Sequence, residues 1–100
     1  MSFMSTPLTI VAKILVHEEH RELVKSELLN LIETTRNEAG CIQYDLHQDH
    51  ENPNLFLFFE NWTSRELWQA HMNNDHINAY RKKVEGCVAD FELFEMTQIG

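Results

Sequence analysis

One hundred residues with 16 acidic against 8 basic side chains, a formal charge of -8, leave room for one domain with one core. Such a charge repels phosphate backbones and anionic membrane faces, and the basic run Arg81-Lys82-Lys83 is too short to grip a duplex, so neither nucleic acid nor membrane is an expected partner. The longest apolar run, Leu55 to Phe59, is too short to span a bilayer, and the first residues lack the basic stretch and apolar core of a signal peptide. A cytoplasmic protein is expected, with Cys41 and Cys87 as reduced, small hydrophobes.

The first segment alternates. Leu8, Ile10, Ala12, Ile14 and Val16 share one face, and Thr9, Val11, Lys13 and Leu15 the other, which predicts a strand. From Glu18 the period lengthens: Leu23, Val24, Leu28, Leu31, Ile32 and Thr35 recur at helical spacing, with Glu18 and Glu19 suited to the helix start. Gly40 stands where a helix stop wants positive φ. Ile42, Tyr44 and Leu46 alternate with Gln43, Asp45 and His47 in a second strand, and the polar stretch from Asp49 to Asn54 is a loop. Leu55 to Trp62 is the most strand-like segment, with two mainly apolar faces. Thr63-Ser-Arg-Glu66 fits a capping box with Thr63 as the cap, opening a helix that carries Leu67, Trp68, Ala70, His71 and Met72. Asn73-Asn74-Asp75 interrupts that helix, Asn74 or Asp75 can cap a second piece, and Gly86 marks its end. Phe91, Leu93 and Glu95 alternate with Glu92, Phe94 and Met96 in a last strand.

The order strand-helix-strand-strand-helix-strand is the ferredoxin-like split βαβ arrangement, an α+β fold with both helices on one face of an antiparallel sheet. The other face keeps large apolar side chains, and the chain has no element left to cover them. A homodimer that packs sheet against sheet, a dimeric α+β barrel, is the expected solution.

The six histidines do not form a zinc motif. His17-Glu-Glu-His20 has a spacing of three where the zinc-protease motif needs four, and His47 and His50 flank Asp49 in a loop. No metal and no organic cofactor are expected. Polar groups in the most apolar stretches are the remaining candidates. Glu60 shares a strand face with Phe58 and Trp62; if buried, its carboxylate is either structural and paired, or carries a raised pKa. His71 follows Trp68 by three, so both lie near one helix face, and it is either a core-edge histidine or a base. His76, five residues on, meets His71 only if residues 73–75 bend the chain. Tyr44, Phe56 and Trp62 read as core or as the wall of a ligand site.

In order and spacing, three stretches resemble the antibiotic biosynthesis monooxygenase (ABM) domain: Glu38-Ala-Gly-Cys-Ile-Gln-Tyr44-Asp-Leu46, Pro53-Asn-Leu-Phe56 through Glu60-Asn-Trp62-Thr-Ser, and His71 with His76. The likeness runs from Leu8 to about Met96 and is greatest to the small bacterial quinol-monooxygenase-like members. It implies a single ABM-like domain over residues 1–100, with residues 1–6 a flexible N-terminal tail, and a dimeric barrel holding one pocket per protomer. The implied activity is cofactor-independent oxidation of a quinol-like or phenolic aromatic by dioxygen. His71 would then serve as base, Glu60 and Asn61 as further catalytic candidates, and Tyr44, Phe56, Trp62, Trp68 and His76 as substrate-binding groups. Arg81 stands at about the place of the iron-binding histidine of the haem-degrading branch, and arginine cannot serve as that ligand. Two other readings stay open: an isomerase or degradation enzyme for a small signalling-molecule-type ketone, and a non-catalytic small-ligand-binding dimer.

Overall fold

The alternation at the start of the chain forms β1, Leu8–Val16, in which Ile10, Ala12, Ile14 and Val16 are buried and their neighbours half-buried. The computed structural model describes residues 7–100, so the expected tail over residues 1–6 lies outside it. A short 3₁₀ turn, Glu18–His20, precedes the first α-helix, so α1 runs Arg21–Arg36 and starts later than the acidic pair suggested. Val24, Leu28, Leu31 and Thr35 are its buried stripe, whereas Leu23 is exposed. The helix closes on Asn37 rather than at Gly40. Gly40 (φ +85°) instead shapes the turn into β2, Cys41–Gln48, where a Cβ would come within 2.5 Å of Leu67 Cδ1.

β3, Leu55–Trp62, buries Phe56, Phe58, Glu60 and Trp62 toward the helices. Burying each of the two phenylalanines stabilises the fold by about 2–3 kcal/mol. The cap of α2, Arg65–Met72, is Ser64 and not Thr63: the Ser64 hydroxyl accepts from Leu67 N, and Thr63 is exposed. The expected break follows, with Asn74 Oδ1 accepting from Ile77 N to open α3, Asp75–Lys83. Gly86 (φ +79°) lies just beyond it, and β4 covers Val88–Met96.

The sheet has the order β2-β3-β1-β4, with β1 antiparallel to both β3 and β4 and β2 antiparallel to β3. This is the ferredoxin-like α+β arrangement that the element order implied. Register places Tyr44, Glu60 and Ile10 in one row across the helix-facing side, and Leu46, Phe58, Ala12 and Leu93 in the next. Ala12 is the smallest side chain at the middle of these rows, and it leaves space between sheet and helices. The opposite side carries Val11, Leu15, Leu57 and Phe59, with Phe94 38% and Met96 43% exposed. No helix of the described residues is long and apolar enough to cross a membrane.

Candidate functional site

The space above Ala12 is a cavity of about 300 Å³ with a mostly apolar wall: Ile14, Leu28, Leu31, Phe58, Ile77 and Leu93 among others. Four polar groups reach it from different elements: Tyr44 from β2, Glu60 from β3, His71 from α2 and Tyr80 from α3. Arg81 also lines it, and its Nη1 donates to Met72 O and Asn78 Oδ1.

His71 is 2% exposed and held on three sides. Its ring lies 4.8 Å from the Trp62 ring and meets Tyr44 edge-on at 5.6 Å. Its Nδ1 is 2.6 Å from Glu38 Oε2. A carboxylate accepts, so the Nδ1 carries the proton and Nε2 keeps the lone pair. Burial pulls the His71 pKa below the ordinary histidine value, against the opposing pull of the Glu38 carboxylate, and the neutral ring is therefore the resting form. Glu38 is fixed in turn by Asn74, whose side-chain amide donates to Oε1, and by His76, whose Nε2 is 3.3 Å from Oε2 and 3.1 Å from Thr35 Oγ1.

Glu60 is 4% exposed, and Trp62 Nε1 donates to its Oε1 at 2.9 Å. Burial pushes its pKa up to about 7; the indole bond opposes this and the Glu38 charge adds to it, so a large share of Glu60 is protonated near neutrality. Tyr44 stacks on Phe58 at 4.4 Å, and burial together with the Glu60 charge moves its phenol far above the ordinary range. Burial likewise pushes Tyr80 up to about 12. Both phenols are therefore hydrogen-bond donors at any ordinary pH.

Of the eight residues singled out from the sequence, Tyr44, Glu60 and His71 line the cavity. His76 stands behind its wall on Glu38 and Thr35, because the break at Asn73-Asn74 turns α3 back toward α2. Phe56 and Trp62, 1% and 0% exposed, are core: Phe56 is packed on all sides, and Trp62 touches the site only through Glu60 and His71. Trp68 is also buried outside the cavity wall, and its indole N–H has no partner among the described residues. Asn61 lies off the cavity wall. Strand parity puts it opposite Glu60, on the open sheet face, in a polar ladder: Thr9 Oγ1 donates to Asn61 Oδ1, Asn61 Nδ2 to Gln43 Oε1, and Gln43 Nε2 to Asp45 Oδ2.

Glu38, Thr35, Asn74, Tyr80 and Arg81 were not singled out as site residues in the sequence. The signal for Glu38 was weak: a carboxylate in a turn, inside a stretch notable for other reasons.

The fold is a small α+β domain with a part-polar, mainly apolar cavity between helices and antiparallel sheet. Residues 7–83 match the family model described as antibiotic biosynthesis monooxygenase, and the chain belongs to that family. It is similar to the uncharacterized protein sll1783 of Synechocystis, with 30% identity over 77 residues covering 77% of this chain but only 52% of the cyanobacterial one. It is also similar to the Escherichia coli protein named probable quinol monooxygenase YgiN, with 26% identity, 86% of this chain and 92% of the relative. Among solved structures, PA3566 from Pseudomonas aeruginosa superposes with a TM-score of 0.92 at 33% identity, covering 99% of this chain and 100% of its own. The family description and the name of YgiN support a monooxygenase-type function.

Proposed function

We propose that the chain is a cofactor-independent monooxygenase that inserts one oxygen atom of dioxygen into a quinol-like or phenolic aromatic. The observation that carries this reading is His71: a neutral imidazole with its Nδ1 proton committed to Glu38, set in the wall of an apolar, aromatic-lined cavity. Its Nε2 would take the hydroxyl proton of the bound ring, leaving an electron-rich phenolate in a poorly solvated space. The phenolate reduces dioxygen directly. For a quinol the balance is quinol plus dioxygen to hydroxyquinone plus water, which needs no outside reductant. Protonated Glu60 and the Tyr44 and Tyr80 phenols are the donors available for the developing oxyanions. The name of the relative YgiN supports the quinol class.

The test is dioxygen uptake with a hydroquinone above the rate of autoxidation, followed by mass spectrometry of the product made under isotopically labelled dioxygen. One labelled oxygen in a hydroxyquinone is expected. Uptake that yields only unlabelled quinone and hydrogen peroxide would overturn the monooxygenase assignment.

The same reading makes residues 1–100 one ABM-like unit in a cytoplasmic setting, where Cys41 and Cys87 remain thiols. It also makes the open sheet face a contact with a second copy. Val11, Leu57, Phe59, Phe94 and Met96 form an apolar surface on that face, beside the Asn61 ladder, and no element among the described residues covers it. Light scattering at micromolar concentration should return a dimer, and Phe94→Asp should shift it toward monomer. A monomeric wild type would remove the barrel from the proposal.

A further inference from the structure

Glu38, His71 and His76 come from a turn and from two different helices, yet their ligand-type atoms all lie within 4.8 Å of one another. Two imidazoles and one carboxylate are a donor set that suits zinc and its neighbours in the first transition row. Bond lengths of about 2.0–2.1 Å in a tetrahedral site put ligand atoms about 3.3 Å apart. His76 Nε2 and Glu38 Oε2 already stand at 3.3 Å. His71 Nδ1 and Glu38 Oε2, at 2.6 Å, are drawn together by the proton they share and would separate once a cation replaced it. Supporting contacts are in place as well. Asn74 holds the far oxygen of Glu38, and Trp62 and Tyr44 fix the His71 ring, while Thr35 Oγ1, 3.1 Å from His76 Nε2, would give up that nitrogen to the ion. The side chains of Glu38 and His76 are 18% and 25% exposed, which gives an ion a path in from solvent.

We propose that Glu38, His71 and His76 form a binding site for one divalent zinc-class ion, and that the ion switches the catalytic site off. The switch follows from the chemistry of imidazole. In the metal-free protein the ring proton sits on Nδ1, facing Glu38, and Nε2 is the lone-pair nitrogen. A cation bound at Nδ1 leaves the neutral ring's single proton on Nε2. The nitrogen that would accept the substrate proton then becomes a donor, with no change in the protons bound. The binding claim stands on the geometry alone, whereas the inhibition claim rests on the function proposed above.

The experiment is calorimetric titration of tag-free protein with Zn²⁺, in parallel on wild type, Glu38→Gln, His76→Ala and the exposed control His47→Ala. Wild type and His47→Ala should bind one ion per chain with the same affinity, and the other two should bind at least tenfold more weakly. Should Glu38→Gln fail to fold, His76→Ala carries the comparison alone, since His76 is partly exposed and its partners among the described residues are Glu38 and Thr35. Absence of saturable heat in wild type, or unchanged affinity in His76→Ala, would overturn the site. With Co²⁺ in place of Zn²⁺, the intense visible absorption of a tetrahedral complex should appear in wild type and be lost in His76→Ala. Dioxygen uptake with a hydroquinone should then fall along the same Zn²⁺ titration. Uptake unaffected by saturating Zn²⁺ would overturn the switch and leave the site standing. A wild type without uptake at any Zn²⁺ concentration would defeat the proposed function, and the calorimetry would still decide the site.

Discussion

His71→Ala should lower protein-dependent dioxygen uptake with a hydroquinone by about 10²-fold or more, because removing a positioned general base typically costs 10²–10⁴. On the cavity wall only Glu60 could take its place as a base. Tyr44 and Tyr80 hold their protons through the ordinary pH range, and Arg81 has no lone pair to offer. Glu60 is the one other group that could accept a proton, but burial makes its ionised form costly. The variant must be shown to be folded, since His71 packs on Trp62 and lies among core side chains. His71→Asn is the better-behaved companion, because an amide can still donate to Glu38 while offering no comparable base. His17→Ala and His50→Ala change exposed residues away from the cavity and should leave uptake as it is. If folded His71→Asn kept more than about a tenth of the wild-type rate, proton abstraction by His71 would be ruled out as the slow step.

Strand alternation and helical spacing carried most of the fold. The period-two pattern of β1 and the two apolar faces of β3 could be read directly, and so could the break at Asn73-Asn74 that lets His76 fold back. The boundaries that differed turned on local competition. Thr63 and Ser64 are adjacent hydroxyl residues, and only the bond to Leu67 N decides between them. Asn61 could have been placed by parity alone, since it alternates with Glu60, whose neighbours across the sheet are Ile10 and Tyr44. Depth is a different matter. Phe56, Trp62 and Trp68 are aromatic in the right region, but whether such a ring lines a cavity or fills the core depends on Ala12, Leu28 and Leu93 from other elements. Glu38 was hidden for the same reason. Its partners His71, Asn74 and His76 lie more than thirty residues away, and no pattern within a turn announces them.

Glu60 gives the second large effect, and it is one of stability. Its carboxyl moves from 4.5 unfolded to about 7 folded, raised mainly by burial. A raised carboxyl binds its proton more tightly in the folded state, so its contribution to stability is complete below about pH 4.5 and is lost as pH rises through about 7. A shift of that size corresponds to roughly 3 kcal/mol at full development. Wild type should therefore lose stability between about pH 5 and pH 8, in the range where most proteins are near their best. Glu60→Gln keeps an acceptor for Trp62 Nε1 and carries no charge at any pH, so its stability should stay nearly level over the same range. The two curves should meet near pH 5 and diverge by roughly 2–3 kcal/mol at pH 8, with Gln the more stable. Urea unfolding followed by tryptophan fluorescence at about four pH values is sufficient, as Trp62 reports directly on the contact. Parallel curves for the two proteins would mean that Glu60 is ionised in the folded state throughout. A charged Glu60 could no longer donate to a substrate oxyanion, and that task would fall to Tyr44 and Tyr80 alone.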